Sequence, residues 1–384
     1  MDNVKKQIRD MMLEDIYAQG EMIKNNVPRM EEQARAALNT MDVNSLDAVY
    51  MTGCGDSYYV GEVARMAFLE YAKMPARAIE AYEFSQYESR YLGGHGLVIA
   101  VSVSGQVGTT LSTLDIAKEK GFATLGVNGT PGSKIYNIAD GVIDIGVRVR
   151  EPGPVPQTYH YLANMTALFL IALNIGLKKG TITQAEYDKL KEDILYNLSV
   201  MGENARALKD QVMKFTSTVL HKNPYVVIGG GSNFATSMFA VAKMHEAACM
   251  GGIYQETEEW NHEQYFMTNP DVISLVIAAP GQGMQRSKDV LRSIGKLGCT
   301  SVAIVDAKDK DTIHANEIWS VKMADNEVFS PMSLKLPLEL FAYAVAELLD
   351  IRPFDYDNEV RKKTCEETIY DGGVSAEEVA RRQN

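Results

Sequence analysis

Leu97-Val98-Ile99-Ala100-Val101-Ser102-Val103-Ser104-Gly105-Gln106 is the stretch that decides the fold. Its first five residues are an unbroken apolar run entered through Gly96. Such a run without alternation marks a strand buried on both faces. It stops at a hydroxyl- and glycine-rich turn, and a helical pattern follows over residues 109–120. The same grammar stands upstream. Ala48-Val49-Tyr50-Met51 runs into Thr52-Gly53-Cys54-Gly55-Asp56-Ser57, then a helical stretch over residues 58–72. Downstream, residues 122–127 and 141–145 read as further strands. Buried strands alternating with amphipathic helices indicate a parallel sheet covered on both faces.

The second half repeats the plan. Tyr225-Val226-Val227-Ile228 enters Gly229-Gly230-Gly231-Ser232-Asn233, and Leu275-Val276-Ile277-Ala278-Ala279 enters Pro280-Gly281-Gln282-Gly283. A helix, a strand over 301–305 and an apolar helix over 336–348 follow. Gly53 and Gly229 stand 176 positions apart (229 − 53). The expected fold is α/β, with two tandem domains, each a flavodoxin-like parallel sheet between helical layers. Boundaries are expected as a helical lead-in over 1–45, domains over 46–195 and 196–350, and a tail over 351–384. Pro28 is expected to divide the lead-in into two helices.

The chain has 384 residues, 46% hydrophobic and 23% charged, with 50 acidic against 38 basic side chains and a net charge of −12. That balance argues against a nucleic-acid partner or an anionic membrane, though not against a small phosphorylated ligand. The longest apolar run, residues 167–173, is short for a bilayer crossing, and no signal core opens the chain. A cytoplasmic protein is expected. Cys54, Cys249, Cys299 and Cys365 are widely spaced, which favours free thiols over disulfides or a zinc site.

Ligands of open parallel sheets sit beyond the carboxyl ends of the strands, at helix N-termini. Ser102, Ser104, Gly105, Thr109 and Thr110 occupy one such place, and Gly55 and Ser57 another. Two readings fit these loops: a phosphate cradle, or ordinary helix capping. Neither loop is a Walker A sequence or a dinucleotide fingerprint. In the second half, Lys243-Met244-His245-Glu246 closes an Ala/Met-rich helix, and residues 256–263 hold an acidic run ending near His262. A carboxylate in an apolar setting and a histidine suit proton transfer. A solvated surface is the alternative.

Gly53-Cys54-Gly55-Asp56-Ser57-Tyr58 and Ala100-Val101-Ser102-Val103-Ser104-Gly105 resemble the two substrate loops of SIS (sugar isomerase) domains. The chain is most similar to the isomerase half of glutamine–fructose-6-phosphate aminotransferase and to the fructosamine-6-phosphate deglycases, including Glu83-Phe84 of a family element. The resemblance implies two SIS domains. It implies phosphate or sugar binding by Ser57, Ser102, Ser104 and Thr109 or Thr110, with Gly55 and Gly105 in the same loops and Thr158 in a separate region. It puts the isomerase base on Glu246, beside Lys243, and the ring-opening histidine on His262, sixteen positions later (262 − 246). A C-terminal lysine falls on Lys362 or Lys363. A homodimer with a shared active site is implied, as is the absence of any metal or redox cofactor.

The departures are specific. Val103 stands where the family has Gln, Gln106-Val107 where it has Glu-Thr, and His245 where it has Lys. Gln157-Thr158-Tyr159 replaces a Ser-Thr-Lys region, and Glu263-Gln264 follows His262 where Gly-Pro is usual. With no glutaminase segment ahead of the lead-in, ammonia production from glutamine is not expected. The first expectation is a ketosamine 6-phosphate deglycase. Behind it come an amino-sugar-phosphate deaminase, an aldose–ketose isomerase and a non-catalytic sugar-phosphate-binding regulator. Arg150, Tyr159, His160 and Trp260 are candidates to contact the amine substituent, or else packing residues.

Overall fold

The structure, a computed structural model, describes residues 2–146 and 153–371. Strands β1 (Ala48–Gly53), β2 (Ala76–Glu80), β3 (Gly96–Ser102), β4 (Ala123–Asn128) and β5 (Gly141–Asp144) form one sheet in the order β2-β1-β3-β4-β5. Strands β6 (Tyr225–Gly229), β7 (Gly252–Glu256), β8 (Ile273–Ala278), β9 (Thr300–Asp306) and β10 (Glu317–Val321) form a second, in the order β10-β9-β8-β6-β7. All eight pairings are parallel. The α/β character expected from the sequence is therefore observed, with two parallel sheets flanked by helices. In both sheets the order reverses beside the first strand. The ends of β1 and β3, and of β6 and β8, are thus the positions where such sheets open a crevice.

The quoted apolar run is β3, buried at every position. It packs in a core with Tyr50, Phe84, Leu114 and Phe122. Its counterpart β8 is equally buried, in a core with Val226, Ile228, Trp260 and Ile294. Three strands escaped the sequence reading: β2, β7 and β10. All three are sheet edges with mixed exposure, so none shows an unbroken apolar run.

Pro28 does not divide the lead-in: Asp2–Asn39 is one 38-residue helix. A proline inside a helix costs about 3 kcal/mol in isolation. Here a buried stripe of Ile8, Met12, Ile16, Ile23, Val27, Met30 and Ala34 offsets that cost. The apolar residues 167–173 belong to a longer helix, Thr158–Lys179, which is apolar enough by length and composition to cross a membrane. Protein buries 94% of its apolar window, as expected of a core helix.

The chain packs as two compact units, each discontinuous in sequence. Residues 2–24, 153–159 and 193–357 make the unit of the second sheet; residues 25–146, 160–192 and 358–371 make that of the first. The lead-in helix and the helix Gln184–Val219 each contribute to both. The sequence reading had drawn boundaries after residues 45, 195 and 350.

Candidate functional site

The unit of the first sheet holds the hydroxyl-rich loop. β3 ends at Ser102, and the helix Gly108–Glu119 begins six residues later. Ser102 is buried, and its Oγ accepts from the Gly105 amide at 3.1 Å. Ser104 Oγ accepts from the Gln106 amide at 3.3 Å. The Ser102 and Val103 carbonyls accept from Asn128 Nδ2 at 2.7 Å and Thr130 Oγ1 at 2.9 Å, which ties the loop to the end of β4. The serines shape the loop and leave the helix uncapped: its N-cap is Val107, with no side-chain bond. The helix Asp56–Glu70 starts the same way, from Gly55. Neither helix has a side-chain cap, and Ser57 and Thr109 lie in the first turns, where hydroxyls and helix amides suit an anion; the Ser57 and Tyr58 amides donate to the Cys54 and Gly55 carbonyls at 3.1 and 2.9 Å. Thr110 differs. It is buried, and its Oγ1 lies 3.8 Å from Cys54 Sγ, so its hydroxyl turns inward. Burial, with the Glu80 carboxylate beside it, pushes the Cys54 thiol up to about 12. Cys54 is therefore a neutral thiol near pH 7, not a nucleophile.

Thr158 is fully buried at the first position of its helix, and its Oγ1 has no hydrogen-bond partner among the described residues. Lys363 lies on the helix Glu359–Asp371, exposed and 3.7 Å from Glu367; Lys362 is exposed beside it. Of the candidates for a substituent, Trp260 is a core residue with no exposed surface, which removes it from ligand contact. Tyr159 and His160 are also buried, and Arg150 lies outside the described residues.

Lys243 and Glu246 lie one turn apart near the end of the helix Ser232–Ala248, in the unit of the second sheet. Lys243 has no exposed surface, and its ammonium donates to Glu246 Oε2 at 2.5 Å. It also stands 5.1 Å from the centre of the Phe239 ring. Glu246 is 26% exposed. The sequence suggested a carboxylate alone among apolar residues. The structure shows one held from beneath by a buried cation, its outer edge open. Lys243, expected as a catalytic residue, reaches chemistry only through that carboxylate. The neighbouring His245 is exposed.

The acidic run is exposed at Glu258, Glu259, His262 and Glu263, as the solvated-surface alternative has it, and it is folded into a defined turn. Glu256, at the end of β7, accepts from the amides of Glu258 and Glu259 at 2.6 and 3.2 Å and folds the chain into the short turn Glu259–Asn261. Buried Trp260 pins that turn to the core. His262 follows, 64% exposed, its Nε2 3.3 Å from Glu258 Oε1. Arg286, from the first turn of the helix Met284–Lys296, donates to both oxygens of Glu258 at 2.5 and 2.9 Å. The Arg286 hydrogen bonds hold the Glu258 carboxyl below the ordinary carboxylate range. The sequence reading named neither Glu258 nor Arg286. The four-residue spacing of Glu258 and His262 was legible; the approach of Arg286 to Glu258 from 28 positions downstream was not. Among the described residues no hydrogen bond joins Glu246 to His262, and no cluster of three or more His, Cys, Asp or Glu could hold a metal.

Comparison with known proteins finds relatives in sequence and in fold. Residues 44–173 match the SIS domain. The glutamine–fructose-6-phosphate aminotransferase of Clostridium tetani is 24% identical over 346 residues, covering 87% of this chain and 55% of that protein. Its counterpart in Thermococcus kodakarensis is 25% identical, covering 92% and 58%. The chain thus spans about half the length of these curated relatives. Among solved structures, the C-terminal domain of glucosamine-fructose-6-phosphate aminotransferase from Francisella tularensis superposes with a TM-score of 0.79 at 18% identity, covering 88% of this chain and 95% of that one. The tagatose-6-phosphate ketose/aldose isomerase of Escherichia coli gives 0.68 at 13% identity, covering 90% and 94%. Residues 44–173 are thus similar to a SIS domain, most of the chain is similar to about half of the glutamine–fructose-6-phosphate aminotransferases, and its fold is shared with both solved structures.

Proposed function

We propose that this protein is a phosphosugar-processing enzyme of the isomerase type, and specifically a ketosamine 6-phosphate deglycase. The observation that carries the reading is the half-open Glu246 carboxylate backed by the buried Lys243 ammonium, at the position where the family resemblance puts the base. Ser57, Ser102, Ser104 and Thr109, with the uncapped helix amides beside them, serve the phosphate. Glu246 takes the C1 proton of the open-chain ketosamine, giving an enolamine. Return of a proton to C2 makes the C1 imine. Water then adds to the imine and expels the amine, leaving hexose 6-phosphate. His262 serves ring opening, and its exposure suits service to a partner subunit's substrate in a homodimer. Nothing in this sequence of steps calls for an electron carrier.

The departures from the aminotransferase pattern at Val103, Gln106-Val107 and Glu263-Gln264 support a substrate with an extra group on nitrogen. A plain aldose–ketose isomerase is the second reading, favoured by the fold shared with the tagatose-6-phosphate isomerase. The two separate when the protein is incubated with a panel of ketosamine 6-phosphates, glucosamine 6-phosphate and ketose 6-phosphates. A deglycase releases free amino acid or amine with hexose phosphate; an isomerase only interconverts ketose and aldose; ammonia marks a deaminase. Glu246→Gln is expected to lower kcat by about 10²–10⁴-fold while phosphosugar binding persists. Turnover unaffected by that substitution would remove Glu246 as the base.

A further inference from the structure

We propose that Glu258 is a positioning residue for His262, held in place by Arg286, and that it fixes His262 Nδ1 as the atom that exchanges protons with substrate. The inference rests on the functional reading above for the role of His262, and on the geometry alone for the role of Glu258.

Three features of one loop converge on the carboxylate. Glu256 caps the turn through two amides, so the backbone of Glu258 and Glu259 is fixed. Trp260, without exposed surface, anchors the turn between Glu258 and His262. Arg286 then grips Glu258 through two parallel N–H donors from a separate helix. A bidentate guanidinium–carboxylate pair sets orientation as well as charge. The remaining direction of Glu258 Oε1 points at His262 Nε2, 3.3 Å away.

A single exposed ion pair contributes little to stability, commonly about 0–1 kcal/mol. Surface decoration would thus explain one pair. It does not explain a carboxylate joined at once to a histidine of the same pinned turn and to an arginine of a separate helix. The partner of one ring nitrogen decides which tautomer a neutral histidine adopts. With Glu258 accepting from Nε2–H, the Nδ1 lone pair is left to take a proton from a ring hydroxyl and return it. In an exposed position, the ring has no packing to orient it, so the carboxylate supplies that orientation.

The test uses the full-length protein, its Glu258→Ala and Glu258→Gln variants, and Arg286→Ala. Nitrogen-15 NMR of the histidine rings reports the tautomer. His262 is expected to be the Nε2–H form in the parent protein and in Glu258→Gln, which keeps an acceptor oxygen, and a mixture in Glu258→Ala. Kinetics use solvent deuterium incorporation at C1 of two ketose phosphates. D-fructose 6-phosphate must open its ring; 5-deoxy-D-fructose 6-phosphate, lacking the ring oxygen, cannot close one. Glu258→Ala is expected to lose roughly tenfold or more in kcat on the first, as a part of what an acid–base group supplies, with KM within about twofold and the second substrate unaffected. Arg286→Ala is expected to do the same more weakly. Equal losses on both substrates, or an unchanged His262 tautomer in Glu258→Ala, would overturn the proposal. Failure of the parent protein to turn over any ketosamine 6-phosphate or ketose 6-phosphate would sink the functional reading instead, and the tautomer measurement would still decide the role of Glu258.

Discussion

His160 sits near the start of the helix Thr158–Lys179 with 5% of its surface exposed, and burial pulls its pKa from the ordinary 6.5 down to about 4. The folded chain therefore keeps this ring neutral at a pH where the unfolded chain has already protonated it. Between pH 6.5 and 4 the unfolded state binds more protons, so stability falls as the pH drops through that window and levels off below it. From pH 7 to pH 5 this one group is expected to remove about 2 kcal/mol. Chemical denaturation of the parent protein and of His160→Gln at both pH values measures it. The variant should lose less stability on acidification by about that amount, and parallel losses would show that His160 is not responsible. The expectation that this ring contacts a ligand substituent fits poorly with such burial, and the sequence had no means of telling a buried neutral histidine from one lining a pocket.

At the scale of elements, the loop after β3 and the loop after β1 invite the same substitution with different outcomes. Gly105 has φ +60°, and an added Cβ would stand 2.1 Å from Ser133 Oγ and 2.5 Å from Asn128 Nδ2. Asn128 is the brace that holds the Ser102 carbonyl, so Gly105→Ala strains the backbone and displaces the brace together. Gly55 has φ +55° but open space around its missing Cβ. Gly55→Ala is expected to cost about 1 kcal/mol of backbone strain. Gly105→Ala should cost about 2–3 kcal/mol, and should weaken phosphosugar binding because the serine loop is reshaped. Thermal unfolding and titration with fructose 6-phosphate check both; comparable effects at the two sites would mean that the brace does not matter. These loops were legible in the sequence because strand, glycine and hydroxyl occur in fixed order. The central strands were legible for a related reason, since burial on both faces leaves an unbroken apolar run such as residues 97–101. The edge strands β2, β7 and β10 were not, because Ala76-Arg77-Ala78-Ile79-Glu80 and its like carry polar residues where water reaches them. Glu246 was singled out by the family resemblance of residues 243–246 together with its spacing from His262, whereas the ion pair beneath it took the fold to show. Lys243 was singled out with it, but its burial beneath the carboxylate is visible only in the folded helix.

For the whole molecule, the order of residues along the chain and the grouping of residues in space diverge. A cut at residue 195, where the sequence pattern suggests one, would leave the second sheet without residues 2–24. Those residues supply more than apolar cover. Buried Arg9 donates to Glu347 and Asp350, both at 2.7 Å, and to the Ile351 carbonyl at 2.9 Å, at the end of the helix Leu336–Leu348. Deeper in, Gln19 donates to Glu339 at 2.7 Å and accepts from Lys335 at 2.9 Å, while Lys335 and Glu339 pair with each other. None of these three side chains has more than trace exposure. Removing Gln19 takes one hydrogen-bond partner from each member of that buried ion pair, and a buried polar group left unsatisfied costs about 1–3 kcal/mol. Loss of the apolar stripe of the lead-in adds several times that. A fragment of residues 196–350 is therefore expected to lack a cooperative unfolding transition and to show poorly dispersed amide resonances. Adding residues 2–24 as a separate peptide should restore dispersion in part, and Gln19→Leu in that peptide should restore less. A fragment that folds cooperatively without the peptide would show that the second sheet and its helices carry their own stability, with the lead-in helix an accessory to it.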